Sequence, residues 1–121
     1  MTDVVDDATL ASLRARLEGQ RAELRKEIED LGADPDRDEV EFVGDAGFSD
    51  RSHSTEERSR LISLVRALRS NLREVDRALA KVQAGTYGTC ERCGNPIGLE
   101  RLTALPWAQL CIDCKQKDVM G

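Results

Sequence analysis

The stretch that decides the fold is residues 61–82, LISLVRALRSNLREVDRALAKV. Its apolar residues recur in alternating steps of four and three, the seam of a heptad repeat. The seam residues are Leu61, Val65, Leu68, Leu72, Val75, Leu79 and Val82. Ser54 and Glu57 have the spacing of an N-terminal capping box, and Gly85 follows the seam as a stop signal. The pattern therefore predicts a helix over about residues 54–84.

A second apolar stripe predicts a partner helix over about residues 7–31. Its members are Leu10, Leu13, Leu17, Leu24, Ile28 and Leu31. A polar residue, Gln20 or Arg21, interrupts the stripe as a stutter does in a coiled coil. The candidate N-caps are Asp6, Asp7 and Thr9. Gly32 supplies the stop. We interpret both stripes as packing surfaces.

Charge and composition favour a thin helical structure. The chain of 121 residues is 34% charged and 3% aromatic, with a net charge of -5. This balance argues against non-specific nucleic-acid binding. Residues 1–31 carry eight acids and five bases, whereas residues 54–84 carry four acids and seven bases. The opposite signs favour an antiparallel hairpin over independent helices, although they are equally consistent with two solvated faces.

Residues 32–53 are predicted to form an acidic loop between the two helices. They contain three glycines, one proline, seven acids and two bases. Loops of this length tend to be functional or disordered, and acids that merely keep the loop soluble remain the simpler alternative. Asp34, Asp36 and Asp38 have the spacing of an EF-hand start. Pro35 and the missing glycine and glutamate of that motif argue against a calcium site.

The four cysteines form two Cys-x-x-Cys pairs, Cys90 with Cys93 and Cys111 with Cys114, separated by seventeen residues. Each pair aims two thiolates at one point, and four thiolates complete a tetrahedron around zinc. This spacing predicts one structural Zn²⁺ per chain, with no open position for catalysis. The alternatives are a pair of disulfides, a redox dithiol and unrelated buried thiols. A cytoplasmic chain disfavours the disulfides. A redox dithiol needs only one Cys-x-x-Cys pair, usually near a βαβ unit, and the sequence shows no such unit. His53 is interpreted as an exposed loop residue.

Apart from the cysteines, the sequence contains no recognisable catalytic motif. The sequence contains no phosphate-cradling glycine loop and no nucleophile motif, so we expect no enzyme activity. It also has no apolar run long enough for a membrane helix and no secretory signal. The expected location is the cytoplasm.

Residues 85–115 strongly resemble the zinc finger of the DksA/TraR family. The matching features are Tyr87-Gly88, Cys93-Gly94, Ile97, Arg101-Leu102, Ala104, Pro106 and the closing Cys111-Ile112-Asp113-Cys114-Lys115. The helical hairpin upstream has the order that this family shows. The resemblance therefore covers roughly residues 7–115.

The resemblance implies a bacterial transcription regulator that binds RNA polymerase directly and does not read DNA sequence. In that family the zinc module docks at the rim of the secondary channel, and the acidic tip of the coil enters it. The first tip acid of the family falls here on Gly47, and Asp45 is a possible substitute for it. The tip residues implied for this chain are Asp45, Asp50, Arg51 and Ser52.

The resemblance weakens at the positions that contact the alarmone guanosine tetraphosphate. Lys115 matches the family, but Ala67 and Glu74 stand where basic residues are expected. The sequence therefore argues against an alarmone response.

Together these observations predict a mainly α fold: an antiparallel two-helix coiled coil over residues 1–84 and a C-terminal four-cysteine zinc-finger module over residues 85–121. The predicted function is regulation of transcription initiation through RNA polymerase. Two alternatives stay open: a zinc-capped coiled-coil adaptor for another protein, and a nucleic-acid-binding zinc ribbon. The balanced charge of residues 85–121 disfavours the ribbon.

Overall fold

The computed structural model describes residues 5–37 and 55–120. This part of the chain contains the helices α1 (Asp7–Asp30), α2 (Thr55–Ala84), α3 (Leu99–Ala104) and α4 (Ile112–Met120). The two long helices lie within one residue of their predicted bounds. The prediction of a mainly α structure is therefore confirmed. Among the described helices, none combines the length and the apolar character needed to cross a bilayer.

Two short helices lie in the C-terminal module. Glycines and prolines occur throughout residues 85–121, yet α3 and α4 both lie within this segment. Helix α3 has only six residues, too few to show a helical period. Helix α4 begins inside the second cysteine pair, where the spacing of metal ligands hid the helical pattern.

The N-cap of α1 is Asp6, one of the three predicted candidates. Its Oδ1 accepts a hydrogen bond of 2.7 Å from the backbone N–H of Thr9. Its carbonyl accepts the N–H of Leu10 at 2.8 Å. The bond from Thr9 also lowers the pKa of the Asp6 carboxyl, because it stabilises the ionised form.

Both long helices end at the predicted glycines, in a Schellman motif. Gly32 has a φ of 88° and Gly85 a φ of 81°, values that residues with a Cβ rarely adopt. After α1, the N–H of the glycine and the N–H that follows it donate to carbonyls three and five residues back, at 2.9 and 3.1 Å. The corresponding distances after α2 are 3.3 and 2.9 Å. The predicted capping box at Ser54 lies outside the described residues and stays a prediction.

The chain divides into two compact units. Unit 1 comprises residues 1–20 and 74–121, and unit 2 comprises residues 21–73. The predicted interruption at Gln20 and Arg21 therefore falls at the boundary between the units. The predicted domain boundary lies after Ala84, where the zinc-finger motif begins, whereas the compact unit that contains this motif begins at residue 74 of α2. The domain boundary stays a prediction.

The core of unit 1 joins α1 to the cysteine module. Its buried members are Leu13, Cys90, Ile97, Leu102 and Cys114. Around them pack the partly buried Val5, Tyr87, Ala108, Leu110 and Cys111. Leu13 comes from α1, so the N-terminal turns of this helix share one core with the cysteines.

In unit 2, buried apolar residues come from both long helices and from the turn after α1. They are Leu24, Ile28, Ala33, Val65, Leu68 and Leu72. The heptad seam predicted for α2 is correct at its centre. At its ends Leu61, Leu79 and Val82 are only half-buried, and Ala78 is buried in place of Leu79. A straight helix has 3.6 residues per turn, so a 3.5-residue seam drifts off its face.

Candidate functional site

The first cysteine pair lies on a tight turn. The N–H of Gly94 donates to the carbonyl of Cys90 at 3.0 Å, and the N–H of Cys90 donates to the carbonyl of Asn95 at 2.8 Å. An isolated antiparallel bridge between Thr89 and Pro96 brackets this turn. The backbone thereby holds the first two sulfur atoms on one side of a closed loop.

The second cysteine pair lies at the start of α4. The N–H of Lys115 donates to the carbonyl of Cys111 at 2.9 Å, which forms the first helical turn around this pair. The N–H of Glu91 donates to the carbonyl of Gln109 at 2.9 Å and connects the two cysteine segments. These bonds bring together residues that lie about twenty positions apart in the sequence.

The four predicted ligands meet at one point. The Sγ atoms of Cys90, Cys93, Cys111 and Cys114 all lie within 4.8 Å of one another, and those of Cys93 and Cys111 are 3.8 Å apart. Zn–S bonds of about 2.3 Å in a tetrahedron place the sulfurs about 3.8 Å apart, so the cluster fits zinc. His53 lies outside the described residues.

The electrostatics of the cluster also call for a cation. Burial raises the pKa of the Cys114 thiol, and the other three cysteines raise it further, to about 12. Burial opposes ionisation of Cys90 as well, but backbone N–H groups of Cys111, Cys93 and Arg92 lower its pKa to about 6. Four thiolates this close repel one another strongly without a positive charge between them. A bound Zn²⁺ supplies that charge and deprotonates its thiol ligands.

An ion-pair cluster attaches the first cysteine turn to α2. The Glu91 carboxylate lies 2.8 Å from the Arg77 guanidinium and 3.1 Å from Lys81 Nζ. Lys81 Nζ also donates to the carbonyl of Thr89 at 3.3 Å. On the α1 side, Arg16 Nη1 donates to the carbonyl of Thr103 in α3 at 2.7 Å. These polar contacts supplement the buried core of unit 1.

The Tyr87-Gly88 pair of the zinc-finger motif has a structural explanation. Tyr87 Oη donates to the carbonyl of Pro106 at 2.8 Å, and burial raises the pKa of this tyrosine to about 12. Gly88 has a φ of 90°, and a Cβ there would lie 3.5 Å from Leu102 Cδ1. The sequence motif marked both residues, but only the contacts show what they do.

A cleft lies within unit 1. Its volume is about 170 Å³, and its lining includes Glu74, Arg101, Trp107, Gln109 and Lys115. Gln109 Nε2 donates to the carbonyls of Glu74 and Trp107, both at 3.0 Å. The structure therefore brings Glu74 and Lys115 to one cleft, as the resemblance implied. Position 67, the other alarmone-related position, does not line it.

The predicted tip residues belong to the segment between α1 and α2. Asp45, Asp50, Arg51 and Ser52 lie outside the described residues. Their assignment to a polymerase-contacting tip stays a prediction from the sequence.

Comparison with known proteins gives matches to the DksA/TraR family. A family profile described as the prokaryotic dksA/traR C4-type zinc finger matches residues 85–118. The RNA polymerase-binding transcription factor DksA of Escherichia coli (strain K12) is 34% identical over 113 residues, covering 93% of this chain and 73% of that protein. An uncharacterized protein of Aquifex aeolicus (strain VF5) is 50% identical over 48 residues, covering 40% of this chain and 33% of that protein.

A solved structure extends the match to the fold. The transcription factor DksA2 from Pseudomonas aeruginosa superposes with a TM-score of 0.70 at 33% identity, covering 96% of this chain and 87% of that chain. This match confirms the predicted fold class, a two-helix coiled coil with a four-cysteine zinc finger. The C4-type profile and the clustered cysteines confirm one structural zinc ion as the cofactor.

Proposed function

The chain belongs to the DksA/TraR family, and we propose on that premise that it is a bacterial transcription regulator that binds RNA polymerase directly. The observation that carries this proposal is the match over 93% of the chain to a factor named for RNA polymerase binding. The chain acts as a regulator rather than an enzyme, and its place of action is the cytoplasm, with the polymerase.

The charge distribution supports a role for residues 32–53 in this activity. With seven acids and two bases, this segment repels DNA and attracts a cationic or metal-containing target. In our proposal it enters the secondary channel of the polymerase, with Asp50 as the principal acid and Asp45 as a second. Arg51 and Ser52, which follow Asp50 in the sequence, belong to the same proposed tip.

Binding to purified core RNA polymerase tests the partner, with a Gre-type transcript-cleavage factor as competitor. We expect the zinc-loaded protein to bind and the competitor to displace it. Binding without displacement would retain the polymerase as partner and rule out the secondary channel. No binding at micromolar concentration would favour an adaptor for another protein.

The variant Asp50→Asn tests the tip. It removes one negative charge with almost no change in shape, so we expect unchanged polymerase binding and a weaker effect on transcription. The matched control is Asp30→Asn, which makes the same change at an exposed position at the end of α1. An unchanged transcriptional effect in Asp50→Asn would show that the tip assignment is wrong.

The ligand set is the second part of the proposal: Cys90, Cys93, Cys111 and Cys114 bind the zinc ion. Because the module has a small core, metal binding supplies much of its folding energy. We expect Cys93→Ser to lose zinc and to melt at a lower temperature than the parent protein. One zinc per chain together with an unchanged melting curve would contradict the assignment.

The proposal also covers the alarmone. The carboxylate of Glu74 lines the same cleft as Lys115 and opposes a polyphosphate there. We expect guanosine tetraphosphate to leave the transcriptional effect of this protein unchanged. Glu74→Lys reverses the charge at this position and serves as the comparison. If the unmodified protein responds to the alarmone, and does so as strongly as Glu74→Lys, the expectation is refuted.

A further inference from the structure

Among the described side chains, Arg69 is the charged one that is buried, with 4% of its surface exposed. It lies in α2, within unit 2, and the zinc site does not use it. A buried guanidinium is costly unless hydrogen bonds satisfy it, so its partner identifies what it holds. Arg69 Nη2 donates to the backbone carbonyl of Asp34, in the turn that follows α1.

This turn, residues 33–37, is closed by its own hydrogen bonds. The carbonyl of Asp34 accepts the N–H of Arg37 at 3.3 Å, and Pro35 occupies the second position. Asp followed by Pro is a signature of a type I turn. The Asp34 carboxylate accepts the N–H of Asp36 at 2.8 Å and lies 3.5 Å from Arg37 Nε. The Asp-Pro signal lies within residues 32–53, for which the sequence predicts one continuous loop.

A second arginine holds the turn from the α1 side. Both terminal nitrogens of Arg25 donate to the Asp36 carboxylate, at 2.8 and 3.2 Å. Hydrogen bonding by Arg25 lowers the pKa of Asp36. Ala33, at the start of the turn, is buried. The turn is therefore attached to α1 through Arg25 and to α2 through Arg69.

The attachment sets the place where the chain leaves α1. Arg69 lies fourteen residues after Thr55, which corresponds to about 21 Å of helix. The segment after α1 therefore starts beside the middle of α2. The sequence had predicted a loop that simply joins the two helix ends, and this buried contact between residues 34 and 69 was not foreseeable from spacing.

We propose that Arg69, assisted by Arg25, is a positioning residue that fixes the exit of the acidic segment from α1 and so determines how strongly the protein affects transcription. This inference rests on the proposed function. Arg69 acts through the turn at residues 33–37, which it holds against α2. Its loss should therefore reduce the effect of the bound protein more than it reduces binding.

The test compares Arg69→Met with Arg66→Met. Both variants remove one positive charge and keep an unbranched side chain, but Arg66 is exposed on the same helix. The full-length, zinc-loaded proteins are measured for zinc content, polymerase affinity, transcriptional effect at saturating protein, and amide hydrogen exchange at residues 33–37. Asp36→Asn, which weakens the Arg25 contact at an exposed carboxylate, is a variant with little risk of misfolding.

In Arg69→Met we expect unchanged zinc content, a polymerase affinity within about twofold of the parent, and a saturating effect reduced about fivefold. Exchange at the Arg37 amide should be about tenfold faster, because a charge-assisted hydrogen bond no longer holds the turn. Asp36→Asn should show the same pattern more weakly, and Arg66→Met should match the parent.

Three results would overturn the proposal. The first is unchanged exchange at residues 33–37 in Arg69→Met, and the second is faster exchange with an undiminished saturating effect. A loss of affinity equal to the loss of effect would also overturn it, since it would indicate a general structural role. Failure of the proposed function itself is distinguishable, because the unmodified protein would then neither bind the polymerase nor affect transcription.

Discussion

Leu102→Ala is the sharpest test of how the zinc module is held together. Leu102 in α3 is fully buried, with 0% exposure, and it shares one core with Leu13 of α1 and with Cys90 and Cys114. The substitution leaves the four thiols unchanged. It removes only packing between the metal site and its supports.

The expected cost is about 3 kcal/mol. Leu→Ala deletes three carbon atoms, which corresponds to about 2.4 kcal/mol of transfer free energy at about 0.8 kcal/mol per carbon. The remaining cavity adds to this value, because the surroundings relax only partly. If zinc binding and folding of the module are coupled, the same free energy weakens the apparent zinc affinity about a hundredfold.

The assay is competition for zinc against a chelator of known affinity, together with thermal melting of the zinc-loaded protein. Leu64→Ala is the matched control, because Leu64 is 47% exposed and belongs to unit 2. The control should change stability by less than about 0.5 kcal/mol. The reasoning would be refuted if Leu102→Ala had the same zinc affinity and the same melting temperature as Leu64→Ala.

Four further predictions concern the helix ends and the partly buried Tyr87. Because the pKa of Asp6 is lowered in the folded state, its contribution to stability is present above about pH 4 and is lost as the pH falls through the folded-state pKa. Asp6→Asn should keep the cap and reduce this acid dependence of the melting temperature. The pKa of Tyr87 is raised to about 12, so its contribution to stability is complete below about pH 10 and is lost as the pH rises toward the folded-state pKa. In a titration followed by ultraviolet absorbance, its phenolate should form at a higher pH than that of a free tyrosine. Tyr87→Phe removes the hydrogen bond to Pro106 and should cost about 1 kcal/mol in chemical denaturation. Gly85→Ala places a Cβ at a φ of 81° and should destabilise the protein by about 1–2 kcal/mol, whereas an unchanged denaturation midpoint would show that the Schellman end of α2 is not needed.

The sequence alone was sufficient to predict the features that depend on neighbours within a few turns of chain. The heptad steps predicted α2, the second stripe predicted α1, and the glycines at positions 32 and 85 marked both helix ends. The two Cys-x-x-Cys pairs predicted the sulfur cluster, since a knuckle is a local turn. In each case the physical signal is contained in a short segment, so spacing alone was sufficient.

Only the tertiary structure decided which distant residues meet. The burial of Arg69 against the carbonyl of Asp34 and the pairing of Glu91 with Arg77 follow from the path of the chain, not from a periodic pattern. Helix α3 shows the same limit, because its six residues become recognisable only where Leu102 packs beneath the cysteines. Contacts between residues far apart in sequence depend on how the folded backbone returns on itself, and no local spacing encodes that return.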